Sequence, residues 1–154
     1  MVEVGKPAPD FTLQDQLGKK VTLSKLKGSP IVLYFYPKDN TPGCTKEACA
    51  FRDAFAEYEK LGAKILGVSP DGVESHAKFI EKHELPFTLL ADTERKVCEA
   101  YGVWKEKNMY GKKSMGVERT SFVIDSKGIV RQVFPRVKVD GHSDAVLTAI
   151  KAAT

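Results

Sequence analysis

The chain has 154 residues, a formal net charge of +4, 42% hydrophobic and 29% charged residues, and three cysteines. That length reads as one domain, residues 1–154, large enough for a real core, and the composition suits a soluble globular protein. It excludes two classes, since no apolar run approaches the ~20 residues that span a bilayer and three cysteines are too few for a disulfide scaffold. The mild charge, with acidic and basic residues interspersed, leaves a nucleic-acid binder remote.

The N-terminal Met1-Val-Glu-Val-Gly-Lys-Pro segment lacks the apolar centre of a secretory signal, so a cytoplasmic protein with reduced thiols is expected. Phe11-Thr-Leu and Val21-Thr-Leu flank Asp15-Gln-Leu-Gly18 and predict an N-terminal hairpin. Residues 30–36 read as a buried strand and 42–61 as a helix ended by Gly62. A strand over 63–69, a helix over 73–84, a strand over 86–90 and a short helix over 93–101 follow. Residues 105–118 read as loop, 120–124 and 129–134 as strands joined by a tight turn, and 142–152 as a closing helix. Strands separated by helices imply parallel pairs with crossovers, and the late hairpin adds antiparallel strands. The expectation is an α/β fold with a mixed central sheet flanked by helices.

Thr41-Pro42-Gly43-Cys44 follows the apolar run Ile31-Val-Leu-Tyr-Phe-Tyr36. Thr41 is placed as the N-cap and Pro42 at the first helical position. Cys44 then falls in the first turn, where free backbone N–H groups and the positive dipole end favour an anion. A thiolate there is a nucleophile. The alternative is a buried small hydrophobe, a common fate of free cysteine.

At 100° per residue, Cys44, Ala48, Phe51, Phe55 and Tyr58 form one stripe that faces the core. Cys49 lies ~140° away with Arg52, Asp53 and Lys60, displaced ~7.5 Å along the axis. Disulfide geometry needs converging side chains, so a Cys44–Cys49 bond requires the first turns to unwind. Taken alone, Cys49 reads more readily as an ordinary helix residue, and Cys98 as packing beside Val97 and Tyr101, with a reserve resolving thiol as its other role. His76 and His83 read as surface residues and His142 as a helix-start residue; none clusters with the cysteines, which argues against a zinc site. Lys105, Lys107, Lys112 and Lys113 read as a solvated loop rather than a nucleic-acid surface.

Pro37-Lys-Asp-Asn-Thr41-Pro-Gly-Cys44 resembles the peroxiredoxin signature Pro-x-x-x-Thr/Ser-x-x-Cys. Tyr34-Phe-Tyr-Pro37 and Cys44-Thr-Lys-Glu-Ala-Cys49 resemble the bacterioferritin comigratory protein, or Q-type, subgroup. Further similarity runs through Gly5–Leu13, Leu66–Ser69, Phe87–Leu90, Tyr101–Trp104 and Arg119–Asp125. The resemblance implies a thioredoxin-like fold and a thiol-dependent peroxidase acting on hydrogen peroxide and organic hydroperoxides. Cys44 matches the peroxidatic cysteine, Cys49 the resolving one, and Pro37, Thr41 and Arg119 the other signature positions. Thioredoxin or a similar dithiol as reductant, a monomer, and no metal, haem, flavin or selenium are likewise implied.

The residue chemistry suits those roles. A guanidinium beside the sulfur favours the thiolate, a threonine hydroxyl can donate to sulfur or a peroxide oxygen, and Pro37 and Pro42 give the loop a fixed shape that shields the sulfur. Two rivals remain open, with a basic nucleic-acid binder, marked by salt-sensitive DNA retention, as a remote third. A disulfide oxidoreductase usually carries Cys-x-x-Cys, which this chain lacks. A redox-responsive binding or holdase module would oxidise stoichiometrically without turning over peroxide.

Overall fold

The computed structural model describes residues 2–154. The elements run β1 (Thr12–Gln14), β2 (Lys20–Thr22), a 3-10 turn (Leu23–Leu26), β3 (Ile31–Phe35), α1 (Pro42–Asp53), α2 (Phe55–Lys60), β4 (Lys64–Ser69), α3 (Val73–His83), β5 (Thr88–Ala91), α4 (Lys96–Ala100), β6 (Trp104–Met109), β7 (Lys112–Val117), β8 (Thr120–Ile124), β9 (Val130–Phe134) and α5 (His142–Ala153). Seven strands form one mixed sheet in the order β2-β1-β5-β4-β3-β8-β9. β3, β4 and β5 are parallel; β8 runs antiparallel to β3 and carries β9 on its outer edge.

β3 explains the architecture. All five of its residues are buried, which requires cover on both faces of the sheet. Its side chains alternate as pleating demands. Val32 and Tyr34 enter one core layer with α1, α2, α3 and α5, while Ile31, Leu33 and Phe35 enter the other with α4 and the N-terminal segment. Two successive crossovers in the same direction put α1 and α3 on the same face.

Gly67, on β4, is what lets Tyr34 lie flat in this layer. A Cβ there would approach the Tyr34 ring to 2.9 Å and Leu89 Cδ2 to 2.7 Å. Tyr34 in turn packs against Tyr36 and Phe51, with ring centroids 5.5 and 4.9 Å away. Phe51 thereby ties α1 to the sheet.

Three expectations are corrected. The helix expected over 42–61 is two: Ala54, at φ −95° and ψ 2°, separates α1 from α2. No proline or glycine marks the break, yet Phe51 and Tyr58 still reach the same core layer. The loop expected over 105–118 is instead the hairpin β6–β7. Its two-residue turn, Tyr110-Gly111, has φ of 54° and 77°, as a type I′ turn requires. A tyrosine at the first turn position and lysines along both strands concealed it. The short helix expected over 93–101 is confined to Lys96–Ala100.

Among the described residues no helix is long and apolar enough to cross a membrane.

Candidate active site

α1 starts where β3 ends, and the intervening loop 36–41 delivers the helix N-terminus to the edge of the core. Thr41 occupies the N-cap with extended backbone, and Pro42 follows at the first helical position. The Thr41 side chain does not cap the helix: its hydroxyl donates to the Lys38 carbonyl at 2.9 Å, closing the loop on itself. It does not donate to the sulfur in this geometry, although its oxygen lone pairs remain able to accept. Pro37 is half-buried just beyond β3.

Cys44 is 2% exposed and packs in the layer that contains Ala48 and Phe51. Arg119, placed immediately before β8, donates from Nη2 to Cys44 Sγ at 3.3 Å. Its Nη1 donates to Glu47 Oε1 at 2.6 Å. The guanidinium fork therefore bridges the sulfur and a carboxylate that lies one helical turn further along α1. Gly43 makes room: a Cβ there would stand 3.1 Å from Arg119 Nη2.

Glu47 is a site residue that the sequence reading missed. It is 2% exposed, and its second carboxylate oxygen, Oε2, has no hydrogen-bond partner. Its signal was the spacing of three from Cys44, which places both on one helical face. Burial pushes its pKa up to about 7, with the Arg119 charge and hydrogen bond working the other way. For Arg119 burial works against the charge, but Glu47 and the sulfur outweigh it and raise its pKa. The pair thus secures the guanidinium's charge more firmly than the carboxylate's.

Lys107, on β6, is half-buried near this group. Burial and then the Arg119 charge lower its pKa, while the Cys44 sulfur and Glu118 oppose them.

Beside the site, His142 Nε2 and Ser121 Oγ are 2.8 Å apart. Burial, with a smaller push from Arg119, lowers the His142 pKa to about 4. Glu47 and His142 therefore act on stability with opposite signs. Between pH 4.5 and about 7 the folded chain keeps a proton on Glu47 that the unfolded chain releases, so this group makes stability fall as pH rises. Between about 4 and 6.5 the unfolded chain holds a proton on His142 that the folded chain lacks, so this group makes stability rise with pH. The two offset one another where their windows overlap. Glu47→Gln is expected to unmask His142: its melting temperature falls on acidification from pH 6.5 to 4.5, while the wild type changes little. Parallel melting curves for the two proteins across that window would refute the assignment.

Cys49 is half-buried, and all three cysteines are free thiols. Both Cys44 and Cys49 lie within the continuous helix α1, so the separation expected from helical geometry holds. Cys98 is fully buried in the core layer on the opposite face of the sheet from Cys44. Burial raises its pKa far above the ordinary thiol value, and the Asp92 carboxylate adds to the shift. The sheet stands between it and Cys44, which answers the reserve-thiol reading in favour of packing.

The histidines are corrected as well. His76 is fully buried, not a surface residue, and His83 is half-buried. Among the described residues no group of three or more His, Cys, Asp or Glu side chains converges as a metal site would need.

A core strand that ends on a cysteine-bearing helix start, with a guanidinium against the sulfur, is the layout of a thiol-dependent peroxidase. Comparison with known proteins agrees. The AhpC/TSA family model matches residues 4–133. Peroxiredoxin Bcp of Bacillus subtilis is 51% identical over 150 residues, which cover 97% of this chain and 96% of that protein. The structure of the Xanthomonas campestris bacterioferritin comigratory protein, described for its alkyl peroxide reduction activity, superposes with a TM-score of 0.91 at 45% identity, over 97% of this chain and 98% of that one. Peroxidoxin BcpB of Mycobacterium tuberculosis gives 0.88 at 39% identity, over 100% and 99%. The chain belongs to the AhpC/TSA family as a peroxiredoxin with the thioredoxin-like fold. The holdase alternative is not favoured by any of these relatives.

Proposed function

We propose that Cys44 is the peroxidatic nucleophile and that residues 1–154 act as one catalytic domain. The observation that carries this is the 3.3 Å hydrogen bond from Arg119 Nη2 to Cys44 Sγ at the first turn of α1. The thiolate attacks the terminal oxygen of a hydroperoxide in line with the O–O bond. An S–O bond forms, the O–O bond breaks, and sulfur is oxidised by two electrons to sulfenic acid. The departing oxygen leaves as hydroxide or alkoxide and takes a proton to become water or alcohol.

Arg119 and the free N–H groups of the first turn of α1 stabilise the charge that develops on the oxygens. The Thr41 oxygen, whose hydrogen is committed to Lys38, accepts the peroxide's own O–H. Pro37 and Pro42 fix the loop that presents it. Both hydrogen peroxide and alkyl hydroperoxides suit a mechanism that engages only the O–O end.

Cys49 then attacks the sulfenic sulfur, expels hydroxide that is protonated to water, and closes a disulfide. The α1 geometry requires the segment between the two thiols to unwind first. A dithiol protein of the thioredoxin type returns two electrons and regenerates both thiols. The reading extends to a monomer in the cytoplasm, where thiols are kept reduced between turnovers.

The test is to mix reduced protein with one equivalent of hydrogen peroxide and map the thiols by mass spectrometry. A Cys44–Cys49 disulfide with Cys98 free is expected. An unreacted Cys44 would return that residue to a packing role. In Cys49→Ser, the first oxidation of Cys44 is expected at the wild-type rate, with thioredoxin-linked turnover reduced at least ~10-fold. Full turnover in that variant would remove Cys49 from the cycle.

A further inference from the structure

The loop that delivers Cys44 is pinned from beneath by a buried polar cluster that the peroxidase chemistry leaves unused. Asp39 is 7% exposed and His76, on α3, is fully buried. His76 Nδ1 lies 2.7 Å from Asp39 Oδ2, and its Nε2 lies 2.9 Å from the Leu90 carbonyl oxygen. Tyr36 donates its hydroxyl to Asp39 Oδ1 at 2.5 Å, and Ser75 donates to Oδ2 at 2.7 Å.

Hydrogen-bond accounting sets the protonation. A carbonyl oxygen only accepts, so Nε2 carries a proton. A neutral ring with that tautomer would turn the Nδ1 lone pair on a carboxylate at 2.7 Å. One further proton must therefore lie between Nδ1 and Oδ2. The carboxylate already accepts from two hydroxyls, which favours the charged form of Asp39 and places the proton on the ring.

We propose that Asp39 and His76 form a buried carboxylate–imidazolium pair that positions the peroxide-reacting site, acting through Thr41 and the first turn of α1. The inference rests on the reading of Cys44 as the nucleophile. Asp39 is two residues before Thr41, and its own backbone N–H donates to Asp71 Oδ2 at 2.7 Å, an oxygen that also accepts from Ser69. Lys82 of α3 donates to Asn40 Oδ1 at 3.3 Å. Thr41 closes onto Lys38. The loop therefore contacts α3 through Asp39 and Asn40, whereas Arg119 hydrogen-bonds Cys44 and Glu47 of α1.

A buried ion pair contributes little net stability compared with apolar packing. Its contribution here is a single loop geometry: the Asp39 carboxylate has a defined donor at each position. When α1 unwinds toward Cys49, this anchor keeps the N-terminal side of Cys44 in place, so Thr41 returns to the same position after each reduction. Both residues are positioning residues and touch neither sulfur nor peroxide.

The experiment compares two reactions of Cys44, measured per folded molecule by stopped flow and mass spectrometry. Oxidation by hydrogen peroxide needs the oriented Thr41; alkylation by neutral iodoacetamide does not. In Asp39→Ala and His76→Ala the peroxide rate constant is expected to fall at least ~10-fold, as a misplacement on the order of 1 Å would cost, while alkylation falls less than about threefold or accelerates. Asp39→Asn keeps the geometry, since its amide N–H can donate to a neutral His76 Nδ1, and is expected to stay within about threefold of wild type. Nitrogen NMR of the wild-type ring should report a cationic imidazole, and of Asp39→Asn a neutral one.

If the alanine variants do not fold, Tyr36→Phe removes one hydroxyl donor and is expected to lower the peroxide rate several-fold with alkylation unchanged. Equal losses in both reactions, or a wild-type peroxide rate in the folded variants, would overturn the positioning role, and a neutral wild-type ring would overturn the pair. Cys44→Ser run alongside separates the two readings: if it still consumes peroxide, the nucleophile assignment fails, while the alkylation and NMR results still judge the pair.

Discussion

Cys44→Ser is expected to reduce peroxide consumption by at least about 10⁴-fold, the scale on which loss of a catalytic nucleophile acts. A serine hydroxyl is un-ionised at neutral pH and a far weaker nucleophile than a thiolate. The substitution is nearly isosteric, and the surrounding Ala48 and Phe51 lose little contact. The variant should therefore fold with an unchanged far-ultraviolet spectrum and a melting temperature within a few degrees of wild type. A coupled assay with a thioredoxin-type reductant measures the effect. Residual activity above one hundredth of wild type would mean that another group carries the oxidation, and Cys49 would be the next thiol to remove.

The second large effect is expected at Arg119. Its two terminal nitrogens serve separate partners, Cys44 Sγ and Glu47 Oε1. Arg119→Lys keeps the charge and loses the fork, so a single ammonium cannot hold both positions. A loss of about 10²–10³-fold in the rate constant for Cys44 oxidation is expected, the range seen when one donor to a developing oxyanion is removed. The residual cost to the fold is small, because Glu47 already titrates near neutrality and can become neutral when its partner is weakened. Stopped-flow oxidation with hydrogen peroxide reads the result. A loss under threefold in Arg119→Lys would reduce Arg119 to a source of charge, with the fork irrelevant.

The features legible in the sequence were those governed by local periodicity. β3 read as a buried strand because all its residues are apolar and both faces are covered. The stripe Cys44, Ala48, Phe51 read as the inner face of α1 because helical spacing alone specifies it. The pairing of Arg119 with Cys44 joins residues 75 positions apart, and only the family signature revealed it. Glu47 escaped because a charged residue on an amphipathic helix is expected in water, and its burial is stabilised by a guanidinium distant in sequence. His76 escaped for the same reason, its partner Asp39 lying 37 residues away. The hairpin β6–β7 escaped because its strands carry lysine where a half-buried strand would alternate, and a ribbon outside the main sheet has no second face to bury.

The interruption at Ala54 has a mechanical consequence. Helical hydrogen bonds are cooperative, so unwinding that begins at Cys44 tends to run along a continuous rod. Here the rod ends after the 12 residues of α1, about three turns. Beyond it, α2 has its own fastening, with Tyr58 donating to the Ser143 carbonyl at the start of α5 at 2.8 Å. The discontinuity acts as a firebreak. The proposed resolution by Cys49 would then melt the segment that joins the two thiols without the disturbance spreading to α2 and the core layer it seals. The proposed cycle thus divides the molecule into a sacrificial turn, remade at every reduction, and a permanent chassis against which it is remade.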